Sequence, residues 1–264
     1  MTVSTRPVVL VTGAARRLGR AMALDLAAHG FDVAVHYRGS AAEAHATIAE
    51  LQALGAQAHA FQADLSDEAA CRALVPAVAA YFQRLDAVVN SASAFEYDNP
   101  ATFSGASMEK HWRANTAPAI LLAQALHAHL DGCNDERADR TGCVVNLLDQ
   151  KLWNPNPDYF SYTLSKAALQ AATVMLAQAL APRARVCGVA PGVTMVSGPM
   201  NDDEFAAAHK MTPLERSSTP QDIARAVRFL IESPAITGTT LLVDGGQHLA
   251  AQPRDVLYLA QTNS

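Results

Sequence analysis

Apolar residues fall along this chain in two alternating rhythms. Short runs such as Val8-Val9-Leu10-Val11 are apolar at every position, the pattern of a strand covered on both faces. Longer stretches between them, several rich in alanine, carry apolar residues at helical spacing. The spacing predicts strands near 8–12, 32–37, 57–61, 86–90, 142–148, 184–190 and 239–243, and helices near 19–29, 41–54, 67–82, 107–130, 160–181 and 219–232. Such alternation predicts an α/β fold: a single doubly wound parallel sheet (Rossmann fold) with helices on both faces, in one domain spanning 1–264. Ligands of such a sheet collect beyond the C-terminal ends of its strands.

Three segments leave this rhythm. The polar stretch from Asp131 to Thr141 reads as an exposed loop. Between Met195 and Ser218 strand periodicity is lost and Pro199 and Pro213 intervene, so a mobile substrate lid is expected at about 194–218. The extension 247–264 carries Val256-Leu257-Tyr258-Leu259, whose apolar side chains require cover from a partner subunit or from the lid region.

With 264 residues, half of them hydrophobic, the chain can bury a full core, and a net charge of -5 argues against general nucleic-acid affinity. The only dense basic cluster is Arg16, Arg17 and Arg20. Cys71, Cys133, Cys143 and Cys187 are scattered, which points to reduced thiols rather than disulfides or a zinc site. No apolar leader precedes Pro7 and no apolar run reaches membrane-spanning length, so a cytoplasmic enzyme is expected.

Candidate chemistry begins where the first strand ends. Thr12-Gly13-Ala14-Ala15-Arg16-Arg17-Leu18-Gly19-Arg20 joins a strand to a helix N-terminus, where free N–H groups and the positive dipole end suit a pyrophosphate. Far downstream, Lys166 follows Tyr162 by four positions, so both lie on one helix face and the ammonium is expected to lower the phenol's pKa. Tyr-x-x-x-Lys is common by chance; it becomes specific only with the upstream turn. Asp149 precedes Tyr162 by thirteen positions.

The ordered set of a strand, Thr-Gly-x-x-x-x-x-Gly, a later Asn-x-Ala-x at Asn90-Ser91-Ala92-Ser93, and Tyr-x-x-x-Lys resembles the short-chain dehydrogenase/reductase family from about Pro7 to Gly246. Within it, Arg17 in place of the usual middle glycine, His36-Tyr37-Arg38-Gly39-Ser40, Ser93-Ala94-Phe95 and Asp149 in place of the usual serine resemble the pteridine reductases. The resemblance implies a site built from Asp149, Tyr162, Lys166 and Asn115. It also implies that Asp64 and Leu65 meet the adenine, that Asn90 braces the central strands beside the adenosine with Ser91, Ala92 and Ser93 also at the cofactor, and that Pro191, Gly192, Val193 and Thr194 close over the nicotinamide. Arg17, Ser93 and Phe95 would hold a flat pterin, Phe95 by offset stacking.

Cofactor choice turns on the end of the second strand. An NAD site places an acid at the C-terminal end of that strand for the ribose 2′-OH, yet from Val33 onward no Asp or Glu appears before Glu43. Arg38 and Ser40, with Arg16 assisting and His36 and Tyr37 alongside, are therefore candidates for the 2′-phosphate of NADP(H). The expected reaction is NADPH-dependent reduction of a pterin, from a dihydropterin to a tetrahydropterin of the monapterin or biopterin type. A carbonyl reductase of acyl-carrier or sugar substrates is the alternative, and a non-catalytic NADP-binding module the third reading. Family members commonly form tetramers through the helices corresponding to 107–130 and 160–181, so a homotetramer is expected.

Overall fold

The computed structural model describes residues 5–133, 141–196 and 200–262. Most of the loop expected at 131–141, and Pro199 of the expected lid, lie outside them.

Seven parallel strands form one sheet: β1 (Val8–Val11), β2 (Asp32–Tyr37), β3 (Ala58–Gln62), β4 (Ala87–Asn90), β5 (Gly142–Leu147), β6 (Ala184–Pro191) and β7 (Thr240–Val243). Their spatial order is β3-β2-β1-β4-β5-β6-β7. β1 pairs with β2 on one side (Val9 opposite Val33) and with β4 on the other (Leu10 opposite Val88). The order of the strands reverses at β1, which opens a crevice beyond the C-terminal ends of β1 and β4.

The side-chain period of two explains the doubly apolar strands. Val9, Val11, Val33, Val35, Val89 and Val145 enter one core with helices α1 (Arg17–Ala28), α2 (Ala41–Ala53) and α8 (Pro220–Glu232). Val8, Leu10, Ala34, Val88, Val144 and Val186 enter the opposite core with α3 (Glu68–Phe82), α5 (Ala117–Asp131) and α6 (Phe160–Ala179). The doubly wound Rossmann architecture expected from the sequence is what the chain adopts.

Two helical expectations need correction. The single helix expected at 107–130 is α4 (Gly105–His111), then one π-helical turn at Trp112–Thr116, then α5. Pro118, near the start of α5, has no N–H to give to the carbonyl four residues back, and the chain widens where that bond is lost. Within the expected lid segment a helix forms that is absent from the predicted set, α7 (Asp202–Lys210). Asn201 accepts from the Glu204 N–H and Glu204 returns a bond to the Asn201 N–H, a capping box that starts the helix. The last helix is α9 (Val256–Thr262), which packs on α7. Val256 and Leu257 are buried with Met200, Ala208, Tyr159 and Tyr162, so the extension finds its cover in the lid region of its own chain. Among the described residues no helix is long and apolar enough to cross a membrane.

Candidate active site

The turn after β1 is shaped by close approach. Gly13 has φ +67°, and a Cβ on Gly19 would sit 2.3 Å from the Gly13 carbonyl oxygen, so only glycine fits there. Arg17 itself has φ +53°, the left-handed region that a glycine adopts freely. A backbone with a side chain gives up about 1–2 kcal/mol there. The guanidinium offsets this by donating to the Val196 carbonyl at 2.6 Å, which ties the turn to the loop after β6. No side chain caps the first turn of α1 and no acid lies in it, which leaves its N–H groups open to an anion. Thr12 fixes the opposite wall: its hydroxyl oxygen accepts from the Ser91 and Ala92 N–H groups at 2.9 and 3.0 Å and its O–H donates to Val89 O.

His36, expected at the cofactor, is buried behind the turn. Its Nδ1 accepts from the Gly13 N–H at 3.1 Å, so Nε2 carries the proton that reaches Ala63 O at 3.1 Å. Burial pushes its pKa down, in keeping with a neutral ring. Beyond it Arg38 is exposed; its carbonyl accepts from Gln62 Nε2 at 3.1 Å, but its guanidinium has no hydrogen-bond or ion-pair partner among the described residues, and Ser40 leads into α2 without capping it. Arg16 lies 3.8 Å from Glu43. Asp64 is held below the usual carboxylate range by the Ser66 O–H and N–H on its Oδ1, with Arg38 adding a smaller attraction. Leu65 is buried beside it. Asn90 braces β4 to β5 by donating to Asn146 Oδ1 at 2.8 Å.

A cavity of about 470 Å3 opens beyond β1, β4, β5 and β6. It brings together Gly13, Arg16, Arg17, Leu18 and Gly19 of the turn, Ser91, Ala92, Ser93 and Phe95 after β4, Asp149, Tyr162 and Lys166, and Pro191, Gly192, Val193 and Thr194 after β6. It does not include His36, Tyr37, Arg38, Ser40, Asp64, Leu65, Asn90 or Asn115. Asn115, inside the π-helical turn, accepts from the Ala94 N–H at 2.7 Å and donates to Ala94 O and Ser165 Oγ, so it fixes the loop carrying Ser93 and Phe95. The Ser93 hydroxyl also reaches Asn115 Oδ1. Two residues expected to close over the nicotinamide have protein partners: the Val193 N–H meets Gln247 Oε1 at 3.3 Å, and the Thr194 hydroxyl lies 2.6 Å from Ser218 Oγ.

At the centre, β5 delivers Asp149 to the start of α6. One carboxylate oxygen accepts from the Lys151 N–H at 2.8 Å, starting a 3-10 turn over Gln150–Trp153; the other accepts from the Tyr162 hydroxyl at 3.0 Å. Turn former and proton partner are thus one residue. Lys166 donates to Leu147 O at 2.7 Å, with its nitrogen 5.7 Å from the Tyr162 ring centroid. The expected lowering of the Tyr162 pKa is corrected: burial raises it well above the free phenol and the Asp149 charge raises it further. Burial likewise raises Asp149 and pushes Lys166 down to about 8. Tyr162 therefore holds its proton, as a donor must, with a carboxylate in contact to take or return it.

Phe95 lies at the cavity with Tyr159 stacked on it at 4.1 Å and the Tyr162 ring edge-on at 4.7 Å. Sequence reasoning missed Tyr159, whose left-handed backbone (φ +51°) turns it under Phe95. It also missed Lys151 and Asp255, which line the same cavity and meet at 3.4 Å. The available signal was Lys151 two positions after Asp149, in a segment that also carries Pro155 and Pro157.

Comparison with known proteins agrees with this architecture. A family model described as Enoyl-(Acyl carrier protein) reductase matches residues 13–248. Pteridine reductase 1 of Leishmania tarentolae is 34% identical, covering 94% of this chain and 99% of its own length. A 3-oxoacyl-(acyl-carrier-protein) reductase of Staphylococcus aureus is 32% identical, covering 91% and 97%. The crystal structure of FolM Alternative dihydrofolate reductase 1 from Brucella canis, complexed with NADP, superposes with a TM-score of 0.87 at 39% identity, covering 96% of this chain and 98% of that one. The sheet order, the glycine turn and the Tyr162 and Lys166 pair thus sit on a chain that belongs to the short-chain dehydrogenase/reductase family of oxidoreductases.

Proposed function

We propose that this chain is an NADPH-dependent reductase of a pterin, converting a dihydropterin to a tetrahydropterin. The observation that carries the reading is the Asp149 carboxylate 3.0 Å from the Tyr162 hydroxyl, beside the aromatic wall of Phe95. A carboxylate accepts from ring N–H and amino groups and relays a proton to a ring nitrogen, tasks for which a serine hydroxyl is less suited. The names of the Leishmania and Brucella relatives point the same way.

Several features fit the cofactor. The glycine turn leaves no room for a Cβ at Gly19, the N–H groups of α1 are open, and Arg38 is an unpaired cation among the described residues, at the strand end where a 2′-phosphate would need one. Gly13, Gly19 and Arg16 would hold the pyrophosphate, Arg38 and Ser40 the 2′-phosphate, and Asp64 the adenine. The chemistry that NADPH supplies when bound is a hydride for the carbon of a C=N bond. Tyr162 gives the matching proton to the nitrogen and recovers one through Asp149. Lys166 holds the ribose hydroxyls, and Arg17, Ser93 and Phe95 orient the ring. We place the enzyme in the cytoplasm as a homotetramer.

The ketoacyl reductases among the relatives favour a second reading, reduction of a ketone. NADPH consumption measured with a panel of dihydropterins and ketones decides between them. Turnover of dihydropterins is expected; turnover of ketones alone, unaffected by added pterins, overturns the proposal.

A further inference from the structure

Lys151 serves two carboxylates at once. Its backbone N–H donates to Asp149 at 2.8 Å, and its ammonium, 5% exposed, lies 3.4 Å from Asp255 and donates to Asp158 O. The ammonium also sits 5.6 Å from the centroid of the Tyr159 ring, the ring stacked under Phe95. Asp255 belongs to the segment entering α9 and is held there by the Leu257 N–H. The neighbouring Arg254 pins that segment through two bonds to Asp158, at 2.7 and 2.9 Å. A C-terminal segment therefore places a carboxylate in the same cavity as Asp149, paired with the buried Lys151 ammonium.

We propose that Lys151 and Asp255 are positioning residues for proton delivery: their ion pair docks the C-terminal segment against the Asp149–Tyr162 pair and sets a cation and a carboxylate in the cavity where the proton is passed. The inference rests on the reading of Asp149 as the partner of Tyr162. The groups facing Asp149 are Tyr162 and Lys166 on α6, Lys151 on the 3-10 turn and Asp255 on the C-terminal segment, with Arg16 and Arg17 on the cavity's glycine turn. Burial, the largest influence on Asp149, raises it; Lys151 opposes that rise and Asp255 adds to it. Asp255 also raises Tyr162. Docking of the segment thus favours the protonated phenol, while the lysine opposes the rise that burial imposes on Asp149.

The test is a titration of the full-length protein labelled with 13C at the aspartate carboxyls, the Asp149 signal being assigned by its loss in Asp149→Asn. Asp255→Asn keeps shape and removes the negative charge, so the Asp149 midpoint should fall by roughly 0.5–1 pH unit. Lys151→Met removes the positive charge, and the midpoint should rise by a similar amount. Lys151→Arg keeps the charge and should restore the wild-type value. Loss of docking is common to Asp255→Asn and Lys151→Met and cancels in the difference between their midpoints, so equal midpoints in the two variants overturn the proposal. If Lys151→Met fails to fold, Asp255→Asn decides alone: an unmoved or raised midpoint overturns the coupling. Because the titration needs no turnover, absence of dihydropterin reduction would remove the proposed substrate and leave the coupling standing.

Discussion

Replacing Asp149 by serine, the residue that the family commonly carries there, tests the proposed chemistry most directly. The serine hydroxyl can still accept from the Lys151 N–H, so the 3-10 turn should survive. The Tyr162 hydroxyl, however, loses the carboxylate now 3.0 Å away, and the proton route loses its second member. Losing a general acid–base group typically slows turnover by about 10²–10⁴, or about 3–5 kcal/mol of barrier. Electrostatics push in a second direction: without the Asp149 charge Tyr162 titrates lower, and Lys166, which that charge raises, drops below its value of about 8. Steady-state kcat with a dihydropterin should fall by that factor while the NADPH Kd, from fluorescence titration, stays within about twofold. Because burial raises Asp149 in the fold, its ionised form destabilises the protein as pH rises through that raised pKa. Asp149→Ser should therefore match or exceed the wild-type melting temperature at pH 7, with the difference shrinking in acid. Wild-type dihydropterin turnover by this variant would refute the role assigned to Asp149.

Arg38 is exposed and unpaired among the described residues, so its proposed phosphate contact belongs at the low end of charge-assisted bonds, about 1.5 kcal/mol. Wild-type protein should bind NADPH at least roughly tenfold tighter than NADH, and Arg38→Ala should lose most of that preference; equal affinities in the wild type would remove the NADP assignment. Lys166 provides a stability test, since its pKa falls from 10.5 to about 8 on folding. The unfolded chain binds more protons between those values, so this contribution is a full penalty below pH 8 and fades toward pH 10.5. The stability gap between Lys166→Met and wild type, from urea unfolding at pH 7 and pH 10.5, should change by about 3 kcal/mol; parallel pH dependences would contradict the burial argument.

The sheet was legible because buried parallel strands announce themselves: Val8 to Val11 and Val144 to Val145 have no polar face to disguise them. Helix breaks were less so. An apolar count from 107 to 130 cannot see that Pro118 withholds an N–H, and only the assembled chain turns that loss into a π-helical turn carrying Asn115. The residues gathered at Asp149, Tyr162 and Lys166 were readable because they are near in sequence and at fixed helical spacing. Asp255 was not, since its approach to Lys151 spans more than a hundred positions and depends on how α9 packs on α7. The direction of the Tyr162 shift was misread for a related reason: proximity of a lysine can be inferred from spacing, but burial and the Asp149 contact, which prevail here, cannot.

The Thr12 hydroxyl gives the two walls of the crevice unequal freedom. One oxygen collects two amide protons and the same group returns a bond to Val89, so the ends of β1 and β4 are stitched at three points, around a side chain that is only 1% exposed. That wall is set before any ligand arrives and loses little entropy on binding. The facing wall, which carries Val193, α7 and α9, has among its described ties the side-chain contacts of Arg17 on Val196 and Lys151 on Asp255. Adjustment to ligands of different shape is therefore concentrated on the facing wall. Substitutions there should change which ring is accepted while the nucleotide half of the crevice keeps its dimensions.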